Sequence, residues 1–119
     1  MSDGTLIDTD VFIDHFRGAH ALRSPPHGRV AYSVVTRCEL FSGRRVDEDR
    51  VREVLDSIHE IPVDRHVAEQ AGRLRRELGI RTPDAIIAAS ALTQGLTLLT
   101  SNVRDFEAVP GLKIRKSRG

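Results

Sequence analysis

Three acidic side chains stand where chemistry could be done. Asp8 directly follows the apolar run Thr5-Leu6-Ile7, with Asp10 two residues on. Glu39 lies in the segment Thr36-Arg37-Cys38-Glu39, and Asp84 opens a segment after Thr82-Pro83. Each has an ordinary structural role as well. An Asp after a strand caps a helix, and Asp10 is the better placed of the two because it immediately precedes the helical pattern. Thr36 and Glu39 match a capping box, unless Ser33 is the cap, in which case Glu39 is free to face a cleft. Asp84 complements a helix dipole. That role does not explain its surroundings, because a carboxylate beside a nearly all-apolar helix is partly buried, and a buried charge needs a partner. Three carboxylates gathered without basic partners repel and take raised pKa values. A divalent cation resolves the conflict. Oxygen donors suit Mg²⁺ or Mn²⁺, and such an ion activates water and stabilises charge on a phosphodiester.

The elements that must position these acids follow from the hydrophobic pattern. Apolar runs at Thr5–Asp8, Val30–Tyr32, Ile61–Val63, Leu96–Thr100 and Leu112–Ile114 read as strands, the third at an edge because of Pro62. Helices are expected over Val11–Arg17, Val34–Phe41, Asp47–Ile58, from Asp64 to Leu78, and over Pro83–Thr93, with Thr82 as cap of the last. Ser24-Pro25-Pro26-His27-Gly28 reads as a loop. Strands alternating with helices imply an α/β sandwich with parallel pairing. Sites in such sheets form at the carboxyl ends of strands. The polar residues there are Asp8, Ser33 and Thr100.

Composition bounds the rest. A chain of 119 residues, 39% hydrophobic and 29% charged, fits one soluble domain over residues 1–119. The net charge of +1 excludes nucleic-acid binding by bulk charge alone. Only Lys113 and Lys116 are lysines, so sixteen of the eighteen basic residues are Arg, whose forks suit carboxylates and phosphates. Arg37, Arg44 and Arg45 could guide a nucleic-acid backbone or serve as solvated surface charge. The single Cys38 excludes an internal disulfide and fits a reducing cytoplasm. No signal-peptide pattern and no membrane-spanning run is seen. Zinc is not indicated, since Cys38 is alone and His15, His20, His27, His59 and His66 lack ligand spacing.

Four segments together resemble the motifs of PIN domains: Leu6-Ile7-Asp8-Thr9-Asp10, Ser33 to Leu40, Pro83-Asp84-Ala85-Ile86-Ile87-Ala88-Ala89, and Leu99-Thr100-Ser101-Asn102-Val103-Arg104-Asp105-Phe106. The likeness is to the VapC toxins of bacterial type II toxin–antitoxin systems and runs from Leu6 to about Ile114. It implies a PIN fold, a central parallel sheet of about five strands between helices. It implies Mg²⁺-dependent endonucleolytic cleavage of RNA, with Mn²⁺ as a possible substitute, in-line attack by an activated water, and 5′-phosphate and 3′-hydroxyl products. It also implies a cognate antitoxin that blocks the site, and a homodimer, for which Asp47–Ile58 and Asp64–Leu78 offer apolar stripes. Asp8, Glu39 and Asp84 match the family's first three acids, and Thr36 and Thr100 its hydroxyls near the site. Asn102 stands where Asp is usual and Asp105 follows, so either fills the fourth metal-site position. Asp8-Thr9-Asp10 also resembles the start of haloacid-dehalogenase-like phosphohydrolases, which need a core-motif Lys. A PIN-like module that binds RNA or protein without cutting is the remaining alternative.

Overall fold

The computed structural model describes residues 4–18 and 28–117. The expected loop at 24–28 falls, but for Gly28, outside the described residues, as do His20 and His27.

Five strands, β1 (Thr5–Ile7), β2 (Val30–Ser33), β3 (His59–Ile61), β4 (Thr97–Thr100) and β5 (Ile114–Lys116), form one sheet in the order β3-β2-β1-β4-β5. Every pair is parallel, so the expected α/β sandwich is the observed one. Among the described residues five α-helices connect the strands: α1 (Thr9–Phe16) between β1 and β2, α2 (Val34–Phe41) and α3 (Glu48–Leu55) between β2 and β3, and α4 (Arg65–Leu78) and α5 (Thr82–Gln94) between β3 and β4. Because side chains alternate along a strand, each sheet face has its own core. Leu6, Ala31, Ile61 and Leu98 pack with Val67, Ala71 and Leu74 of α4 and the alanines of α5. Ile7, Tyr32 and Leu99 face the other way, towards Val11 and Phe12 of α1, Leu40 of α2, and Val51 and Leu55 of α3.

Helix ends follow their local chemistry. Asp47 and Asp64 cap α3 and α4 through their side chains. Gly79 and Gly95 close α4 and α5 in the left-handed region (φ 69° and 66°), which favours glycine. Helix α5 buries Ala85, Ile87, Ala88, Ala89, Ser90 and Ala91, as its all-apolar composition requires.

Several expected boundaries shift, each for a local reason. Strand β3 ends at Ile61 because Pro62 has no N–H to give the ladder; β3 is an edge strand, as predicted. Strand β5 starts at Ile114 rather than Leu112. The Leu112 N–H is bonded to Val109 O, which keeps the chain turning after Gly111. Helix α3 stops at Leu55, and Ser57 and Ile58 close turns behind it. Thr82 is the first residue of α5 instead of its cap; Arg81 holds the cap position without a side-chain bond. The apolar stripes of α3 and α4 are spent inside the chain, with Val51, Leu55, Val67, Ala71 and Leu74 all buried.

Candidate active site

The strand order reverses at β1, which leads to β2 on one side and lies against β4 on the other. A crevice opens at the carboxyl ends where such a reversal occurs. Asp8 follows β1 and Thr100 ends β4, so the two flank this point. Asp8, only 5% exposed, caps α1. Its Oδ1 accepts the Thr9 N–H at 2.8 Å and its Oδ2 accepts the Thr100 hydroxyl at 2.8 Å. Thr100 Oγ1 accepts in turn from the Asn102 N–H at 3.0 Å. Asp10 is therefore not the cap. Its Oδ2 takes both the N–H (3.2 Å) and the hydroxyl of Ser101, tying α1 to the segment after β4. Its Oδ1 is buried with no hydrogen-bond partner.

Ser33 caps α2 by accepting the Val35 N–H, so Thr36 and Glu39 form no capping box. Glu39 sits in the helix interior, where its Oε1 accepts the Thr9 hydroxyl at 2.7 Å. Thr9 has a single hydroxyl proton, and Glu39 takes it. The 2.9 Å contact between Thr9 and Thr36 must then be donated by Thr36. The two threonines thus hold Glu39 through a directed chain of hydroxyls. Sequence reasoning misses Thr9, although its place between Asp8 and Asp10 is an available signal.

Asp84 lies in the first turn of α5 with 15% of its side chain exposed. It has one basic neighbour, Arg81, at 3.5 Å, contrary to the expectation of acids without basic partners. Arg81 is 76% exposed, which weakens the pairing. Burial pushes the Asp84 carboxyl up, Arg81 opposes this, and the charges of Asp105 and Glu39 add to it. Asp8 is pushed up to about 8, by burial first and then by the charge of Asp10. The site thus holds Asp8 and Asp10 beside Thr100 and Ser101. Glu39 of α2 is tethered to Thr9 at the start of α1, and Asp84 feels both Glu39 and Asp105. Asp105 and Asn102 are exposed on the short 3₁₀ turn after β4. Arg37 has no part in the site: it bonds Glu60 at 2.8 Å and the Tyr32 hydroxyl at 2.7 Å, clamping α2 to the sheet.

A family model for the PIN domain matches residues 5–112. The chain belongs to the PIN-domain family. It is 37% identical to Ribonuclease VapC10 of Mycobacterium tuberculosis, over 91% of this chain and 90% of that one. It is 35% identical to Ribonuclease VapC19 of the same organism, over 91% and 96%. Among solved structures, a toxin–antitoxin complex from Klebsiella pneumoniae superposes with a TM-score of 0.75 at 33% identity, over 91% and 94% of the two chains.

PIN-domain ribonucleases use divalent metal ions. Among the described residues of this PIN domain, no three His, Cys, Asp or Glu side chains are arranged to hold an ion directly. The donor set nonetheless fits an ion that keeps part of its water shell, as Mg²⁺ does with one or two carboxylates. Two acids have pKa values raised by burial and like charge, and Asp10 Oδ1 is an orphaned buried oxygen. A hydrated cation at this end of the sheet would offset the like charge on these acids.

The fourth position is decided by variants. Asp105 adds charge felt by Asp84, whereas the Asn102 backbone is fixed by Thr100. If Asp105 supplies the charge, Asp105→Asn raises the Mg²⁺ concentration for half-maximal cleavage several-fold and Asn102→Ala does less. If Asn102 holds the place, Asn102→Asp lowers that concentration. A metal titration of cleavage rate reads both, and indifference of all three variants assigns the chemistry to Asp8, Glu39 and Asp84 alone.

Proposed function

We propose that this PIN-domain protein is an Mg²⁺-dependent endoribonuclease, the toxin of a VapBC-type toxin–antitoxin pair. The observation that carries the reading is Asp8, buried at the point where the strand order reverses, its carboxyl raised by that burial and then by the charge of Asp10. The ribonuclease names of the relatives support it. Asp8 and Asp84 would be the main residues to hold the cation, with Glu39 beside them and Asn102 or Asp105 completing the set. When bound, the cation stabilises developing charge on the phosphodiester and makes water a better nucleophile. Thr9 fixes Glu39 through Oε1, which leaves Oε2 as the oxygen that takes the proton of the attacking water. Thr100 donates a hydrogen bond to Asp8 Oδ2 and so keeps that carboxylate aligned. A water delivered in line forms the new bond to phosphorus as the bond to the 3′ oxygen breaks, and that oxygen takes a proton from solvent, which leaves a 5′-phosphate on one fragment and a 3′-hydroxyl on the other.

The partner reading is a small antitoxin that covers this site; it is supported by the structural relative from Klebsiella pneumoniae, which is a toxin–antitoxin complex. A homodimer in the cytoplasm is the assembly proposed, resting on family resemblance, since the stripes of α3 and α4 are consumed in the chain's own core. No described helix is long and apolar enough to cross a membrane. The phosphohydrolase reading gives way to the family match over residues 5–112.

RNA-end mapping on rigorously purified protein tests the function. Cleavage is expected with Mg²⁺ or Mn²⁺, is lost in EDTA, returns when the ion is restored, and is suppressed by the co-expressed antitoxin. Undiminished cleavage in EDTA sinks the metal mechanism. RNA binding without cutting, in any divalent ion, makes the protein a binding module instead.

A further inference from the structure

Beside Glu39 a cleft of about 490 Å³ opens between the end of α1, the α2–α3 turn and the start of α3. Four arginines line it: Arg17, Arg44, Arg45 and Arg50. Arg37, Arg52, Arg76 and Arg81 are each engaged by a carboxylate, but Arg17, Arg44 and Arg45 form no ion pair among the described residues. Arg50 lies over the Phe16 ring at 5.3 Å and donates to Phe16 O at 3.4 Å. The nearby acids are largely occupied. Asp47 caps α3 through the Arg50 N–H, and Glu48 and Asp49 are bridged by Arg52. The cleft therefore has a surplus of unpaired guanidinium groups over an apolar floor that includes Ile13, Phe16 and Leu40. It runs from Glu39 to the far end of α1, where Ile13, Phe16 and Arg17 line it over roughly 6 Å of the helix axis.

We infer that this cleft seats the RNA strand beside the point of cleavage, with Arg17, Arg44 and Arg45 pairing with its phosphates and Phe16 and Ile13 under a ribose or base. Guanidinium forks match phosphate oxygens, and aromatic or apolar floors carry bases of single strands without reading their sequence. Continuity with Glu39 is what favours RNA over a peptide: a strand cut at the acids has to continue somewhere, and the cleft offers charge of the right sign on its path. This inference rests on the nuclease reading, and it locates the substrate's grip away from the acids.

The test is fluorescence anisotropy of a labelled twelve-nucleotide single-stranded RNA with Mg²⁺ present, in an Asp84→Asn background so that no cleavage intervenes. The Arg17→Gln/Arg44→Gln/Arg45→Gln triple variant should bind on the order of tenfold more weakly. The slope of log affinity against log salt should shrink by about 2, since each of the three phosphates no longer neutralised contributes roughly 0.7. Arg73→Gln/Arg76→Gln, on α4 across the sheet, should change neither. The Arg44→Gln/Arg45→Gln double variant gives the same reading with part of the effect should the triple variant lose its circular-dichroism signature. Unchanged affinity and slope overturn the inference. So does intact RNA binding with loss of the co-purifying antitoxin, which makes the cleft a protein-docking site. Cleavage by the wild type with an unaltered triple variant refutes this inference and leaves the nuclease reading standing. Arginine-dependent binding by a wild type that never cuts refutes the nuclease reading alone.

Discussion

Asp84→Asn should lower the single-turnover rate of RNA cleavage by on the order of 10²-fold or more, the scale expected when a group that stabilises transition-state charge is removed. The substitution takes away one negative charge at nearly constant volume. It leaves the helix start alone, since Pro83 and the Arg81 cap position set that end of α5. Arg81 loses its partner, but at 76% exposure water replaces the contact at little cost. Thermal unfolding of the variant should therefore stay close to wild type while activity collapses. A merely structural Asp84 predicts the reverse pattern: about 0.3–1 kcal/mol lost from the helix-dipole interaction, with cleavage intact. The two readouts, melting and rate, separate the roles on one protein sample.

The parts of this molecule that are legible in its sequence are those where a local pattern and the tertiary fold agree. The apolar run Leu6-Ile7 ending at Asp8, the capped and glycine-closed helix α4, and the all-apolar α5 each carry their own signal. Alternation of such elements is enough for the parallel sheet, and the strand-end rule is enough to place Asp8 and Thr100 side by side. Boundaries move where one backbone group decides them, as at Pro62 and at Leu112. What stays hidden are contacts across long stretches of chain. Thr9 reaches Glu39 thirty residues on, and Asp10 reaches Ser101 across most of the sequence. Short polar side chains leave no periodic trace, so a Thr between two acids reads as linker until the helices are packed. The same holds for the arginines. Arg37, Arg44 and Arg45 are alike in sequence, yet Arg37 is consumed by Glu60 and Tyr32 while the other two line an open cleft.

Asp8 ties catalysis to stability through its proton. Its carboxyl is raised from 3.8 to about 8, chiefly by burial and then by Asp10. Between those values the folded protein holds a proton that the unfolded chain has released, so stability falls as pH rises. The stability that accompanies the neutral carboxyl is fully present below the unfolded value and is lost by about pH 8. A tenfold change in proton affinity between the folded and unfolded states corresponds to about 1.4 kcal/mol, and relaxation around the charge trims the total to a few kcal/mol. In EDTA the melting temperature of the wild type should therefore drop between pH 5 and pH 8. Asp8→Asn should flatten that drop and melt higher than wild type at pH 8. The introduced amide keeps an oxygen for the Thr9 N–H, and its N–H is accepted by Thr100 Oγ1 once that hydroxyl, the donor in the wild type, turns its hydrogen away; no charge is left to desolvate. A cation that binds the folded state alone adds stability with its concentration. Mg²⁺ should then raise the wild-type melting temperature at pH 8 and leave the Asp8→Asn protein nearly unmoved, although that protein no longer cleaves RNA. Parallel pH curves for the two proteins in EDTA would mean that Asp8 is ionised and satisfied without an ion, and the cation would have to be held elsewhere.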